Sequence, residues 1–153
     1  MYVAIDFGIS NTDLAISDQG KIVFHTTPSQ SSEINADTLK NILKKHEIDI
    51  SNLKKIGVTG GKSSDLDDAL DGVKITKINE IDAIGLGAKK LYGIGEESAL
   101  VVSAGTGTAC VHVQGNNFNH LGGIAVGGGM LEGLGSLLFK NSNGLEINEF
   151  ANS

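Results

Sequence analysis

The sequence predicts an α/β protein in which a mixed sheet with flanking helices is followed by the start of a second, similar domain. Three observations carry this expectation. The first 95 residues read β-β-β-α-β-β-α, and hairpins followed by βα units build a mixed sheet with helices packed on it. From GIGEES (93–98) the pattern restarts as strand, small-residue turn, strand, turn, strand. The 21 glycines, against a single proline, also gather in clusters. Clustered glycines mark φ > 0 turns or backbone brought close to something else.

Residues 2–7 (YVAIDF), 12–17 (TDLAIS) and 21–26 (KIVFHT) form three strands joined by the turns GISN and DQG, an antiparallel meander. Between Asn35 and His46, Leu39, Ile42 and Leu43 recur at helical spacing, with His46 continuing the stripe as a helix-end or packing residue. A strand at 55–59 (KIGVT) leads into the loop GGKSSDLDD, and Val73 to Ile78 forms another strand. Ile81, Ile84, Ala88 and Leu91 mark a helix over 79–92, with Asn79 placed to cap it. In the restarted pattern, 99–103 (ALVVS), ACVHVQ and FNHLGG are strands. Met130, Leu131, Leu134, Leu137 and Leu138 mark a helix, and LEINEFANS opens another. The expected domains are 1–94 and an incomplete one at 95–153. A second hairpin set with one and a half helices cannot cover both faces of its own sheet. Either the chain is the N-terminal part of a longer protein, which is the favoured reading, or a partner supplies the rest.

A net charge of −6 argues against nucleic acid or an anionic membrane as a main partner. All 12 cationic residues are lysine, which excludes an arginine finger or a bidentate Arg–phosphate clamp within this chain. Cys110 is the one cysteine, so no internal disulfide exists, and its place in a strand reads as a small packed side chain. The chain shows no secretory leader, and its most apolar stretch, 122–139, is glycine-rich and interrupted by Glu132. The expectation is a cytoplasmic protein.

Four segments carry chemistry. Asp6-Phe-Gly8-Ile-Ser10-Asn11-Thr12 places a carboxylate at a strand end before a small-residue turn. Such a turn presents backbone N–H groups and hydroxyls to a phosphate, and the carboxylate can hold Mg²⁺. A hairpin with a capping aspartate suits this segment equally well when it is taken alone. Ser103-Ala-Gly105-Thr106-Gly107-Thr108-Ala109 repeats the arrangement at the start of the second unit. Gly127-Gly128-Gly129 opens an apolar helix whose first-turn N–H groups can face an anion, an interaction worth roughly 0.3–1 kcal/mol. Close helix–sheet packing is the competing reason for these glycines. Glu80 and Asp82 open the 79–92 helix, where acidic residues also complement the helix dipole.

The duplicated strand–turn–strand pair resembles the actin-like ATPase superfamily, with its ribonuclease-H-like domains and two hairpin loops that grip phosphates. The stretch GG-x-x-x-GGG-x-x-x-GL at 122–134 narrows the resemblance to type II (fumble-like) pantothenate kinases, and it extends in order along essentially the whole chain. VTGGKSSD (58–65), containing Lys62, also resembles a family segment. The resemblance implies ATP and Mg²⁺ as cofactors and pantothenate as the substrate, in the first step of coenzyme A synthesis. It implies nucleotide contacts at Asp6, Gly8, Ser10, Asn11, Thr12, Gly105 to Thr108 and Gly127 to Gly129, with Asp6 also the metal residue. Glu80 would be the general base, with Ala109 and His120 at the substrate. The full-length protein would be a homodimer, and this chain alone would be inactive.

Five positions depart from the family pattern. Ile9 and Ser10 stand where a second Gly and a Thr are usual, Asp13 where a Lys is usual, and Ala109 and His120 where a Ser and an Arg are usual. Two alternatives stay open: another actin-like hydroxyl kinase or dehydratase-activator ATPase, and a nucleotide-binding module without turnover. A lone Cys110 counts against the iron–sulfur activators.

Overall fold

The computed structural model describes residues 1–29, 33–61 and 63–153, so Lys62 lies outside the described residues. The chain divides into two compact units, Met1–Glu80 and Ile81–Ser153.

The first unit contains β1 (Tyr2–Phe7), β2 (Asn11–Asp18), β3 (Lys21–Pro28), α1 (Ala36–Lys45), β4 (Lys55–Thr59), β5 (Ala69–Leu70) and β6 (Val73–Lys77). They form one mixed sheet in the order β3-β2-β1-β4-β6-β5. β1 pairs antiparallel with β2 and parallel with β4, and β4 runs parallel to β6. The carboxyl ends of β1, β4 and β6 therefore share one edge, where open α/β sheets place their ligands. The two-residue β5 is too short to leave a periodic signal in the sequence.

Alternation along β1 buries Val3, Ile5 and Phe7, which meet Leu39 and Leu43 of α1 and Ile56 and Val58 of β4 in one core cluster. Asn35 starts α1: its side chain accepts from the Thr38 N–H at 3.0 Å, and the Thr38 hydroxyl oxygen accepts from the Asn35 N–H. His46 ends the helix, with its ring centroid 4.5 Å from that of His25. Burial, helped by His25 and Lys45, lowers its pKa, as a packing histidine requires.

The second unit takes all but the first residue of α2 (Glu80–Tyr92). It continues through β7 (Ser98–Ala104), β8 (Thr108–Gln114), β9 (Asn117–Ile124), α3 (Gly128–Phe139) and α4 (Gly144–Ala151). Its sheet is the antiparallel meander β7-β8-β9, with an irregularity at Cys110/Val111. The units divide at 80/81, whereas the sequence pattern restarts at 95, and α2 is the difference. Gly85 packs on Phe118, where a Cβ would lie 2.2 Å from the ring. Lys89 donates to the Gly115 carbonyl and, at 3.2 Å, to the Asn116 side chain. These contacts tie α2 to the β8–β9 hairpin. Among the described residues, no helix is long and apolar enough to cross a membrane.

Candidate functional site

The turn after β1 is held by the end of β3. The Ser29 hydroxyl donates to the Gly8 carbonyl at 2.8 Å, and the Ser29 N–H donates to the Ser10 carbonyl at 2.9 Å. Gly8 is required because a Cβ there would lie 2.7 Å from the Asn11 carbonyl oxygen. The Thr12 and Ser29 hydroxyls are 3.4 Å apart. Ser29 is a residue that sequence reasoning missed, because its partner lies 21 positions away and no local pattern marks it. Ser29→Ala is expected to lower stability by about 1 kcal/mol and to loosen the turn. Thermal unfolding, together with faster amide exchange at Gly8 to Asn11, checks this.

Asp6 sits near the carboxyl end of β1, directly opposite Asp13 on β2 and Thr59 on β4. Its pKa is raised, first by burial and then by the charges of Asp13 and Glu80. Asp6 and Glu80, far apart in sequence, are thus electrostatic neighbours within the first unit. Asp13 accepts from the Thr26 hydroxyl at 2.5 Å, which fixes the carboxylate standing in the usual lysine position. The sign reversal seen in the sequence is felt by Asp6 itself. Ile9 projects into solvent.

Beside this turn opens a cavity of about 310 Å³ between β2–β3 and α1. Gly8, Thr12, His25, Ser29, Lys45 and His46 help to line it, and its described lining contains no carboxylate.

In the second unit, Gly105 to Gly107 form a tight turn closed by Gly105 N–H donating to the Gly107 carbonyl at 2.8 Å. The start of α3 docks on it. Gly129 N–H donates to the Gly105 carbonyl at 3.2 Å, and Met130 N–H donates to the Thr106 carbonyl at 3.1 Å. A Cβ on Gly127 would lie 2.4 Å from the Gly107 oxygen and 2.6 Å from the Gly105 oxygen. This corrects the expectation of an unobstructed helix end. Two first-turn donors are used within the protein, and the glycines let two stretches of backbone touch. The Thr108 hydroxyl donates to the Val126 carbonyl at 2.7 Å, so its proton ties the turn to the segment before α3.

Ala109 is half-buried on β8, paired with Ser103 and Gly123. His120 is exposed on β9 opposite Val111. Among the described residues, no group of three or more His, Cys, Asp or Glu side chains is placed to hold a metal by itself.

No family model matches the chain. It is 31% identical to the type II pantothenate kinase of Oceanobacillus iheyensis over 97% of this chain and 53% of that protein. It is 29% identical to the type II pantothenate kinase of Bacillus anthracis over 89% of this chain and 48% of that protein. The chain spans about half the length of the curated relatives it matches. Among solved structures, the activator of 2-hydroxyisocaproyl-CoA dehydratase from Clostridium difficile, with bound ADPNP, matches 91% of this chain and 52% of its own. The TM-score is 0.64 at 20% identity. The ROK hexokinase of Thermus thermophilus covers 92% of this chain and 64% of its own, with a TM-score of 0.52 at 17% identity. These structures share the fold, and the sequence relatives share the order of segments along it. The chain is thus similar in sequence to type II pantothenate kinases over about half of their length, and it shares the fold of the dehydratase activator and the hexokinase.

Proposed function

We propose that the chain carries the phosphate-binding turns and the catalytic base of an ATP-dependent pantothenate kinase. The observation that carries this reading is that Asp6, at the carboxyl edge of the first sheet, lies near enough to Glu80 for its pKa to be raised by that charge as well as by burial and Asp13, in a chain similar to such kinases. The turns at Gly8 to Thr12 and Gly105 to Thr108 supply glycine backbone that a phosphate can approach, and Gly127 to Gly129 set α3 against the second turn. Glu80 accepts the proton of the primary hydroxyl as its oxygen bonds to the γ-phosphorus and the bond to the ADP oxygen breaks. Such chemistry rests on positioning and electrostatics, which a dispersed set of loops can supply.

Asp6 fits a Mg²⁺ role because its carboxylate is crowded by two like charges, a strain that a divalent cation relieves. A single protein carboxylate is sufficient for this ion, which keeps several waters and takes phosphate oxygens as further ligands. Bound there, Mg²⁺ would neutralise phosphate charge.

The raised pKa has a definite sign in stability. The fold favours protonated Asp6, so metal-free protein loses stability as pH rises from the ordinary carboxylate range through the raised value. Asp6→Asn removes that loss and is expected to stabilise the metal-free chain at neutral pH. The gain is on the order of 0.5 kcal/mol, because Asp6 is partly solvated and the repulsion is screened. Thermal unfolding with and without Mg²⁺ checks it: the ion should stabilise the wild type and leave Asp6→Asn unmoved.

The reading itself is tested by pantothenate-dependent conversion of ATP to ADP by the protein carrying this chain. Phosphopantothenate formation supports it, and nucleotide binding without turnover selects the non-catalytic alternative.

A further inference from the structure

The cavity between β2–β3 and α1 has neither Asp6 nor Glu80 in its described wall, and that wall is unlike the lining of a packing defect. A void left by imperfect packing is apolar and stays dry. This one, of about 310 Å³, combines Leu14, Ile34 and Ile42 with the basic residues His25, Lys45 and His46. The sequence makes the space. α1 buries Leu39 and Leu43 in the core cluster, and the adjoining row Thr38, Asn41, Ile42 and Lys45 lines the cavity. That row follows the i, i+3, i+4, i+7 spacing of one helix face. Thr38 and Asn41 are short, so the row leaves the gap unfilled.

The basic residues stand together without an acid. The His25 and His46 rings lie 4.5 Å apart between centroids, joining β3 to the end of α1. Burial first, then His25 and Lys45, lowers the His46 pKa, so the three groups already feel one another. Among the described residues Lys45 forms no ion pair, and the described lining contains no carboxylate. The dipole of α1 accounts for a lysine in its last turn. It does not account for His25, which comes from β3. In a chain of net charge −6, an acid-free cavity with three basic side chains calls for a negative occupant.

We propose that this cavity binds a small amphiphilic anion, with a carboxylate or phosphate head beside Lys45, His25 and His46 and an apolar body against Leu14, Ile34 and Ile42. The anion supplies the charge that the walls lack, and protonation of the imidazoles accompanies its binding. The volume is at the lower end of ordinary small-molecule sites, about 300–1,000 Å³. Gly8 and Ser29 also belong to the wall, so the occupant lies against the hydrogen bond that holds the first turn. The proposal stands on the cavity and its charge, and holds whether or not the protein phosphorylates pantothenate.

The test uses the protein carrying this chain and three probes of similar shape: phenylacetate, phenyl phosphate and the uncharged phenethyl alcohol. In an NMR titration at least one anion should shift the His25, Lys45 and His46 signals saturably, with a Kd of about 1 mM or tighter. The alcohol should bind at least about tenfold more weakly than that anion. The tighter of the two anions identifies the head group as carboxylate or phosphate. The better anion should gain about tenfold in affinity from about pH 8 to about pH 6.5 as the imidazoles take up protons. Lys45→Gln, at an exposed position, should weaken it about tenfold. Lys44→Gln, the same change one position away and outside the cavity, should leave it unchanged. No saturable shift with either anion overturns the proposal. So does equal affinity for the alcohol, or an equal loss in Lys44→Gln, which would mark attraction to general surface charge.

Discussion

Glu80→Gln is expected to lower turnover of pantothenate by about 10²–10⁴-fold, the usual contribution of a positioned base. Glutamine keeps the size of the side chain and its place at the start of α2, so the loss isolates the proton-accepting role. The same substitution removes one of the charges that raise the Asp6 pKa. The metal-free protein should therefore become slightly more stable while activity collapses. Opposite movements of Tm and kcat separate a catalytic defect from a folding defect. Steady-state kinetics in the protein carrying this chain, read beside a melting curve, give both numbers. Wild-type turnover in Glu80→Gln would remove the base from this position.

Gly127→Ala should be strongly damaging to the second unit. Its backbone is extended (φ −148°), so alanine meets no conformational strain there. The collision is with main chain: the added Cβ falls 2.4 Å from the Gly107 oxygen and 2.6 Å from the Gly105 oxygen. Backbone at a tight turn cannot swing aside as a side chain can. The start of α3 must separate from the turn, with loss of the bonds from Gly129 and Met130. A cost of about 2–3 kcal/mol is expected, together with weakened nucleotide binding. Gly133→Ala is the matched control, since a Cβ there meets nothing within 4 Å. Its mid-helix position should make that change neutral or stabilising. Denaturant unfolding and ADP titration of the two variants check the contrast.

Much of this molecule was legible in its residues. The short apolar run YVAIDF gave β1, the stripe Leu39–Leu43 gave α1, and the repeated hairpin gave the kinship of the two units. The candidate site was legible only as a set of segments. That Asp6 would feel Glu80 depends on β1, β4 and β6 lying side by side, a result of pairing between distant residues. Asp13 was visible as a departure from a pattern, and its consequence became clear once register set it opposite Asp6. The glycines at 127–129 misled in the opposite direction. Their lack of side chains suggested room for an anion, and the room is used by the neighbouring turn. Composition shows that two surfaces approach closely and leaves open which two.

The strand order of the first unit also sets a timetable for its folding. The β1–β2–β3 meander is local and can pair in about 1–10 μs per hairpin once residues through Pro28 are available. The parallel partner of β1 begins at Lys55, 27 residues further on (55 − 28). At roughly 5–20 residues per second, a ribosome needs about 1–5 s to synthesise that interval. Through those seconds Val3, Ile5 and Phe7 line one side of a formed hairpin with one of its edges unpaired. The nascent chain is thus most prone to aggregate before α1 and β4 emerge. Slower decoding between codons 29 and 55 should lower the soluble yield, while the stability of the finished protein stays the same.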